Sequence, residues 1–425
     1  MNTLYEAKVH PKAYRSFYLL NKNTSIRVKT GTGTTESADV SEIIGQGSGG
    51  AALVSLDKGI DEMFSGSSDE MMYGSIRVQP MIFQDDILRL GDGLPSVKAG
   101  NVKVSSVMNQ KRLTLNADKT GYIIVGDETK RKRTQILIKR SPIICGDFEV
   151  KEKIQDKYLG DVLHQGGCAA SVLATVMDRE GKVKAAMLEA AAIVDDFRAQ
   201  CVGGFMVAID LWELAIIPTL LNNAGTWTNI DEKTEDRLEE LQLFFVRLVL
   251  QVPVSTPKVA LRSETGLCSM KHRVEKEKVM LIHHIKSLSQ RTLARQVYNQ
   301  QVENNWPGLA AETRTICERL GLEDVNKTES TKNQYKNEVM KACRREDEIL
   351  LRSKMEGRSK VQDLVTESCQ LKEYFHKKSL SRTRDMFRIR THMNGLKANF
   401  KHDKKVWSGR REQLPCDGVL QVRRP

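Results

Sequence analysis

No stretch of about 18 uncharged apolar residues occurs in this sequence, the length a membrane-spanning helix requires. The best run, residues 201–209, stops at Asp210, and Pro218 interrupts the next. The opening residues Met1-Asn2-Thr3-Leu4-Tyr5-Glu6 have no apolar core of the secretory kind. Eight cysteines are scattered singly with no Cys-x-x-Cys pair. That fits a reducing compartment and excludes the common zinc-finger spacings. These absences predict an intracellular protein, in nucleus and/or cytoplasm, neither secreted nor membrane-borne and without a zinc site.

What is present is a core-forming composition with an uneven charge. Hydrophobic residues make up 40% and charged residues 28% of 425 positions, enough for two or three domains. The net charge is +12. From Lys332 to Arg424 basic residues are twice as numerous as acidic ones, and their excess equals the whole +12, so the rest of the chain is neutral. A segment of that kind predicts a polyanionic partner.

Residues 1–163 read as mixed α and β. Apolar or β-branched runs (Ser25 to Val28, Pro80 to Phe83, Tyr122 to Val125, Ile136 to Ile138) alternate with turn clusters such as Gly31-Thr32-Gly33 and Gly91-Asp92-Gly93. Helical patches are expected near 51–64 and 101–115. After Gly167 long helix formers dominate, over 183–198, 231–250, 271–293 and 334–352. In 231–250, Leu238, Leu241, Phe245 and Leu248 recur at spacings of three and four. The expected class is α+β, with seams near Gly166-Gly167 and within 324–332.

The sharpest local feature is Phe83-Gln84-Asp85-Asp86, directly after Pro80-Met81-Ile82. Adjacent carboxylates at the end of a buried strand are costly unless a cation compensates them, and a hard divalent cation suits carboxylate oxygen. The competing reading is a solvated Asp pair in a surface turn. Upstream, Val40 to Gly50 runs from a strand-like segment into a glycine-rich turn carrying Gly45-Gln46-Gly47. A nucleotide-binding P-loop is excluded there because no Gly-Lys-Ser/Thr follows. Downstream lie Lys111-Arg112-Leu113-Thr114-Leu115-Asn116-Ala117-Asp118-Lys119-Thr120 and Lys157-Tyr158-Leu159-Gly160.

In this order and spacing the four segments resemble the palm of a reverse transcriptase, most closely that of a non-LTR (LINE-type) retrotransposon. The tetrad at Phe83 resembles its Tyr-Ala-Asp-Asp-type hairpin, with Gln in place of Ala. Leu211-Trp212-Glu213, Ile217-Pro218-Thr219, Gly225-Thr226-Trp227 and Glu264-Thr265-Gly266-Leu267 extend the likeness to about residue 320. The resemblance implies a partial polymerase palm, an antiparallel sheet with helices, over 1–163. A helical thumb- or connection-like region over 164–325 and a basic helical tail over 326–425 follow. It also implies RNA-directed DNA synthesis by two-metal nucleotidyl transfer with Mg²⁺, an RNA template, a DNA primer and deoxynucleoside triphosphates. It sets no oligomeric state.

Carried over residue by residue, Asp85 and Asp86 are the metal-binding catalytic carboxylates. Lys119 lies beside the departing pyrophosphate, against a reading as a solvated turn lysine. Gly45, Gln46 and Gly47 shape the template and nucleotide pocket. Tyr158, Leu159 and Gly160 grip the primer, against a reading of Tyr158 as a buried structural tyrosine. The family's further catalytic Asp has no counterpart: Glu6, Glu36, Asp39 and Glu42 precede Gly45, and none ends an apolar strand. The expectation is therefore a chain that begins inside the palm, lacks the fingers, and does not catalyse alone. The alternative is a non-catalytic nucleic-acid-binding protein from a decayed or co-opted element.

In the tail, Lys377, Lys378, Arg382, Arg384, Arg388, Arg390, Lys401, Lys404 and Lys405 are interleaved with Phe375, Phe387, Phe400 and Trp407. Cations for phosphate and aromatics for base stacking predict nucleic-acid contact. A solvated basic helix with buried Phe is the rival. His272 and His283-His284 have no evident partner ligands and read as packing or surface residues.

Overall fold

The computed structural model describes residues 24–26, 29–30, 33–34, 36, 38–40, 71–83, 86–110, 113–198, 201–325, 328, 330–356 and 370–391. Two compact units divide between Gly167 and Cys168.

The described part of the first unit is built from short two-stranded pairings around two helices, α1 (Leu94–Gln110) and α2 (Glu128–Arg140). β1 (Thr24–Ile26) pairs antiparallel with β4 (Ala38–Val40), and β2 (Lys29–Thr30) with β3 (Gly33–Thr34). Asp39 lies within β4, opposite Ser25. β5 (Met71–Tyr73) and β6 (Ile76–Val78) form a hairpin, as do β7 (Met81–Phe83) and β8 (Asp86–Leu88). β9 (Gly121–Tyr122) pairs in parallel with β12 (Lys151–Glu152), between which come β10 (Ile144–Cys145) and β11 (Phe148–Glu149). β13 (Gln155–Tyr158) and β14 (Asp161–His164) close the unit.

Two small apolar clusters hold these pieces. Val104 and Met108 of α1 pack on the cross-strand pair Ile82–Ile87, which seats the β7–β8 hairpin. Ile138, Ile143, Cys145 and Val150 form the other, with Tyr122 and Phe148 against them. The run Ile136-Leu137-Ile138, expected as a strand, lies in α2. Helix-end chemistry outweighs its β propensity: Asp127 caps the first turn through Lys130 N, Glu128 follows it, and Lys139 and Arg140 occupy the last turn. The expected helix at 101–115 is α1, displaced toward the Gly91–Gly93 reversal; the one at 51–64 lies outside the described residues.

The second unit is helical. α3 (Cys168–Arg198) packs along α6 (Glu232–Leu250), while α4 (Gly204–Leu211) passes through a π turn at Trp212–Ile216 into α5 (Ile217–Leu220). Asp231 caps α6 through Thr234 N, and Leu238, Leu241 and Phe245 are buried as their spacing predicts. Trp212 is wholly buried and stacks on Phe245 at 5.3 Å. α7 (Lys258–Thr265), α8 (Met270–Ser287), α9 (Leu293–Glu303) and α10 (Leu309–Leu320) follow. The helix expected over 271–293 stops at Ser287 and a new one starts at Leu293.

The described residues of 326–425 do not form a separate tail. α11 (Lys332–Met355) buries Tyr335 and Val339 in a core shared with Val279, Ile282, Ile316 and Leu320. α12 (Tyr374–Lys377) and α13 (Leu380–Arg390) place Phe375, Leu380 and Phe387 in the core built by α3 and α6. Burial of these side chains stabilises by roughly 1.5–3 kcal/mol each, enough to bind a basic segment into the unit. The broad class is α+β, mostly helical with small and chiefly antiparallel sheets.

Candidate functional site

β7 and β8 pair from Met81 and Leu88 as far as Phe83 and Asp86. Gln84 and Asp85 lie outside the described residues, as do Gly45, Gln46, Gly47, Lys401, Lys404 and Lys405. Asp86 opens the return strand and is exposed. Immediately after β8, the Arg89 guanidinium donates to the carbonyls of Val97 (3.0 Å) and Ser96 (2.7 Å), tying the hairpin's exit to α1. A Cβ on Gly100 would lie 1.6 Å from Arg89 Cζ, so this tie depends on a glycine.

Tyr158 closes the β13–β14 hairpin opposite Asp161, and its hydroxyl donates to the carbonyl of Met81 in β7 at 3.2 Å. The two hairpins singled out from the sequence therefore meet. Partial burial, and then the nearby Asp86 carboxylate, raise the Tyr158 phenol above its ordinary pKa, so the hydroxyl stays a donor. The turn itself is unusual. Leu159 has φ 49° and Gly160 φ 88°, both in the left-handed region. Glycine takes that conformation freely, whereas a leucine there costs roughly 1–2 kcal/mol. The Leu159 side chain is nevertheless 41% exposed at the tip.

Lys119 sits in a turn fixed by Asn116, whose side chain accepts from Asp118 N (3.0 Å) and Lys119 N (3.1 Å). The Lys119 carbonyl accepts from Lys153 Nζ at 2.6 Å, and the same ammonium pairs with Asp156 of β13 at 2.7 Å. A continuous set of contacts thus runs from the Lys119 turn through β13 to Tyr158 and the β7–β8 hairpin. The Lys119 residue is exposed.

The tail residues divide. Lys377, Lys378 and Arg382 are exposed, and Lys377 is paired with Glu373. Arg384 is buried: Nε donates to the Val249 carbonyl at 2.8 Å and Nη2 to Asp195 at 2.5 Å. Arg388 donates to the Gln251 carbonyl at 2.9 Å. Arg390 grips Glu264 with two bonds, at 2.8 and 3.1 Å, and Tyr374 Oη adds a third at 2.8 Å. The expectation that Arg384 and Arg390 face nucleic acid is corrected. Their guanidiniums are committed to carboxylates and carbonyls of the helical core, and α13 begins after Lys378, so Lys377 shares no helix face with them.

Two groupings escaped the sequence reading. In the first unit, α2 presents Lys130, Lys132, Arg133, Lys139 and Arg140 to solvent. The run Lys130-Arg131-Lys132-Arg133 was the available signal. In the second, His272 is buried rather than partnerless. Nδ1 lies 2.8 Å from Asp347 and 2.9 Å from Ser269 Oγ, and Nε2 lies 2.7 Å from Glu346. Arg262 pairs with Asp347 at 2.8 Å and Arg319 with Glu275 at 2.6 Å, while Arg319 also pairs with Glu346. Burial alone would lower the His272 pKa, but Asp347, Glu275 and Glu346 outweigh it and hold the imidazole above its usual value.

Metal ligation can be tested on donors. Asp86 offers oxygen of the kind Mg²⁺ takes, but it belongs to neither of the ligand groupings found among the described residues. Those groupings are Cys268, His272 and Asp347, and His272, Glu275 and Glu346, each with ligand atoms within 4.8 Å of one another. Burial and the neighbouring Asp347 push the Cys268 thiol far up, which keeps it protonated, and the guanidiniums of Arg262 and Arg319 already neutralise the acids. The His272 group is thus internally compensated. No protein-family model, curated protein or solved structure matches the chain.

Proposed function

We propose that the chain is the palm-and-thumb portion of an RNA-directed DNA polymerase of the LINE retrotransposon type. In this reading it holds a DNA primer on an RNA template and does not extend the primer unaided. The observation that carries the reading is the meeting of the two hairpins: Tyr158 Oη on the Met81 carbonyl joins the hairpin of Leu159-Gly160 to β7, the strand paired with the one that Asp86 opens. A strained, exposed leucine at a turn that would accept Asn or Gly more cheaply supports a contact role, since such strain persists where function requires it. In the proposed complex Asp85 and Asp86 would hold Mg²⁺, which would supply charge neutralisation at the transferred phosphate. Tyr158 and Gly160 would orient the primer strand, and Lys119 would offer a counter-charge to pyrophosphate.

Two-metal transfer needs carboxylates from separate strands. Because no acid upstream of Gly45 ends an apolar strand in the sequence, the second reading is favoured for the isolated chain, a nucleic-acid-binding protein without catalysis. Primer extension on a primed RNA template, with Mg²⁺ and deoxynucleotides and run beside Asp85→Ala, tests the absence of unaided catalysis that both readings share. Binding of the primer–template with no extension above that control is the expected result. Extension that Asp85→Ala abolishes would establish a complete carboxylate set. Absence of binding to any primer–template would overturn both readings.

A further inference from the structure

We propose that α2 is a docking surface for the phosphate backbone of a nucleic-acid duplex. The inference rests on the nucleic-acid part of the function proposed above and not on its polymerase part. α2 turns Ile138 into the core, with Arg131, Thr134 and Gln135 flanking it half-buried. At 100° per residue the opposite face carries Lys132, Arg133, Ile136, Lys139 and Arg140, all exposed. Four cations therefore surround an isoleucine that is 52% exposed. From Lys132 to Arg140 the face runs about 12 Å.

Compensation on the protein is slight. Lys132 pairs with Glu128 at 2.6 Å and Lys130 with Asp127 at 3.5 Å, both pairs well exposed and weak. Among the described residues no acid pairs with Arg133, Lys139 or Arg140. Like charges crowded within two turns repel one another, yet the helix is fixed by its Asp127 cap and by Ile138, so the repulsion is built into the fold. A polyanion is the partner that relieves it. Duplex backbone supplies a charge about every 1.7 Å along its axis, dense enough to engage the whole face at once. A membrane surface fits less well, because an interfacial helix needs a broad apolar face. The core takes the inner side of α2, leaving Ile136 and Leu137 as its exposed apolar residues.

The test is a salt titration of the full chain on a labelled RNA–DNA hybrid, a DNA duplex and single-stranded RNA, with phosphatidylcholine–phosphatidylserine vesicles as a further arm. The variants are Lys132→Gln/Arg133→Gln/Lys139→Gln/Arg140→Gln, and separately Gly160→Val. Circular dichroism checks their folding, and Arg133→Gln/Arg140→Gln serves if the fourfold variant is unstable. The fourfold variant should bind duplex on the order of 100-fold more weakly at low salt. Its slope of log K against log salt on duplex DNA should be shallower by about 3.6, from four lost phosphate contacts. Unchanged affinity and slope on every nucleic acid would overturn the proposal, as would an effect seen on vesicles alone. If Gly160→Val abolishes binding while the α2 variant does not, the inference falls and the hairpin reading stands. If the α2 variant alone matters, the inference stands and the hairpins lose their role. If neither matters, both fall.

Discussion

The arginines of α13 and those of α2 are alike in sequence and opposite in use. Arg384 and Arg390 point into the helical unit, where Asp195 and Glu264 receive them; Arg133 and Arg140 point away from a small core that offers them no acid. Basic density alone does not distinguish the two. The difference lies in whether the fold brings a carboxylate to the helix, and for α13 it brings one that is fully buried: Glu264 is 0% exposed.

The largest expected effect follows from that burial. Arg390→Ala leaves Glu264 as a buried charge with Tyr374 as its side-chain partner among the described residues and should cost about 3–5 kcal/mol, read as a lowered denaturation midpoint. A loss below about 1 kcal/mol would erase the contrast between the two helices. Next comes His272, the other internally compensated cation. His272→Ala should cost about 3 kcal/mol at pH 6, because Asp347, Glu346 and Glu275 lose a partner they surround.

The pH dependence has a definite sign. His272 is held above its usual value, so its contribution is complete below about pH 6.5 and fades as pH rises through the folded value. Asp347 is held far below the usual carboxylate range, with His272 and Arg262 overcoming the burial that would raise it. Its contribution is complete above about pH 4 and fades only in stronger acid. Wild-type stability should therefore fall from pH 6 toward pH 9 more steeply than that of His272→Gln. Parallel profiles would mean that His272 is neutral in the folded chain.

Smaller effects belong to the exposed regions. Leu159→Asn should gain up to about 1 kcal/mol by relieving the left-handed leucine, and should weaken primer–template binding. A gain without a binding loss would make the strain incidental. Arg140→Gln should change stability by less than about 0.5 kcal/mol, since no described acid depends on it.

Legibility followed the range of the interactions. The β7–β8 turn could be read from an apolar run meeting two acids and a glycine-rich reversal, and α6 from its spacing and its Asp231 cap. α2 was misread because three apolar residues, Ile136 to Ile138, drew attention from the cap and the terminal charges that specify a helix. Arg384, Arg390 and His272 could not be placed at all. Their partners stand 189, 126 and 75 or so residues away, and no local pattern announces a contact at that separation.

The bond from Tyr158 to the Met81 carbonyl has a kinetic consequence. Each hairpin is local and forms within roughly 1–10 μs on its own. Joining them closes a chain of 77 residues, an entropic cost that falls due before the contact yields anything. A single helix such as α6 closes through bonds four residues apart and carries none of that delay. The β7–β8 hairpin and the turn at Leu159-Gly160 should thus acquire their mutual position late in folding, and the amide protons around Tyr158 should gain protection after those of α6.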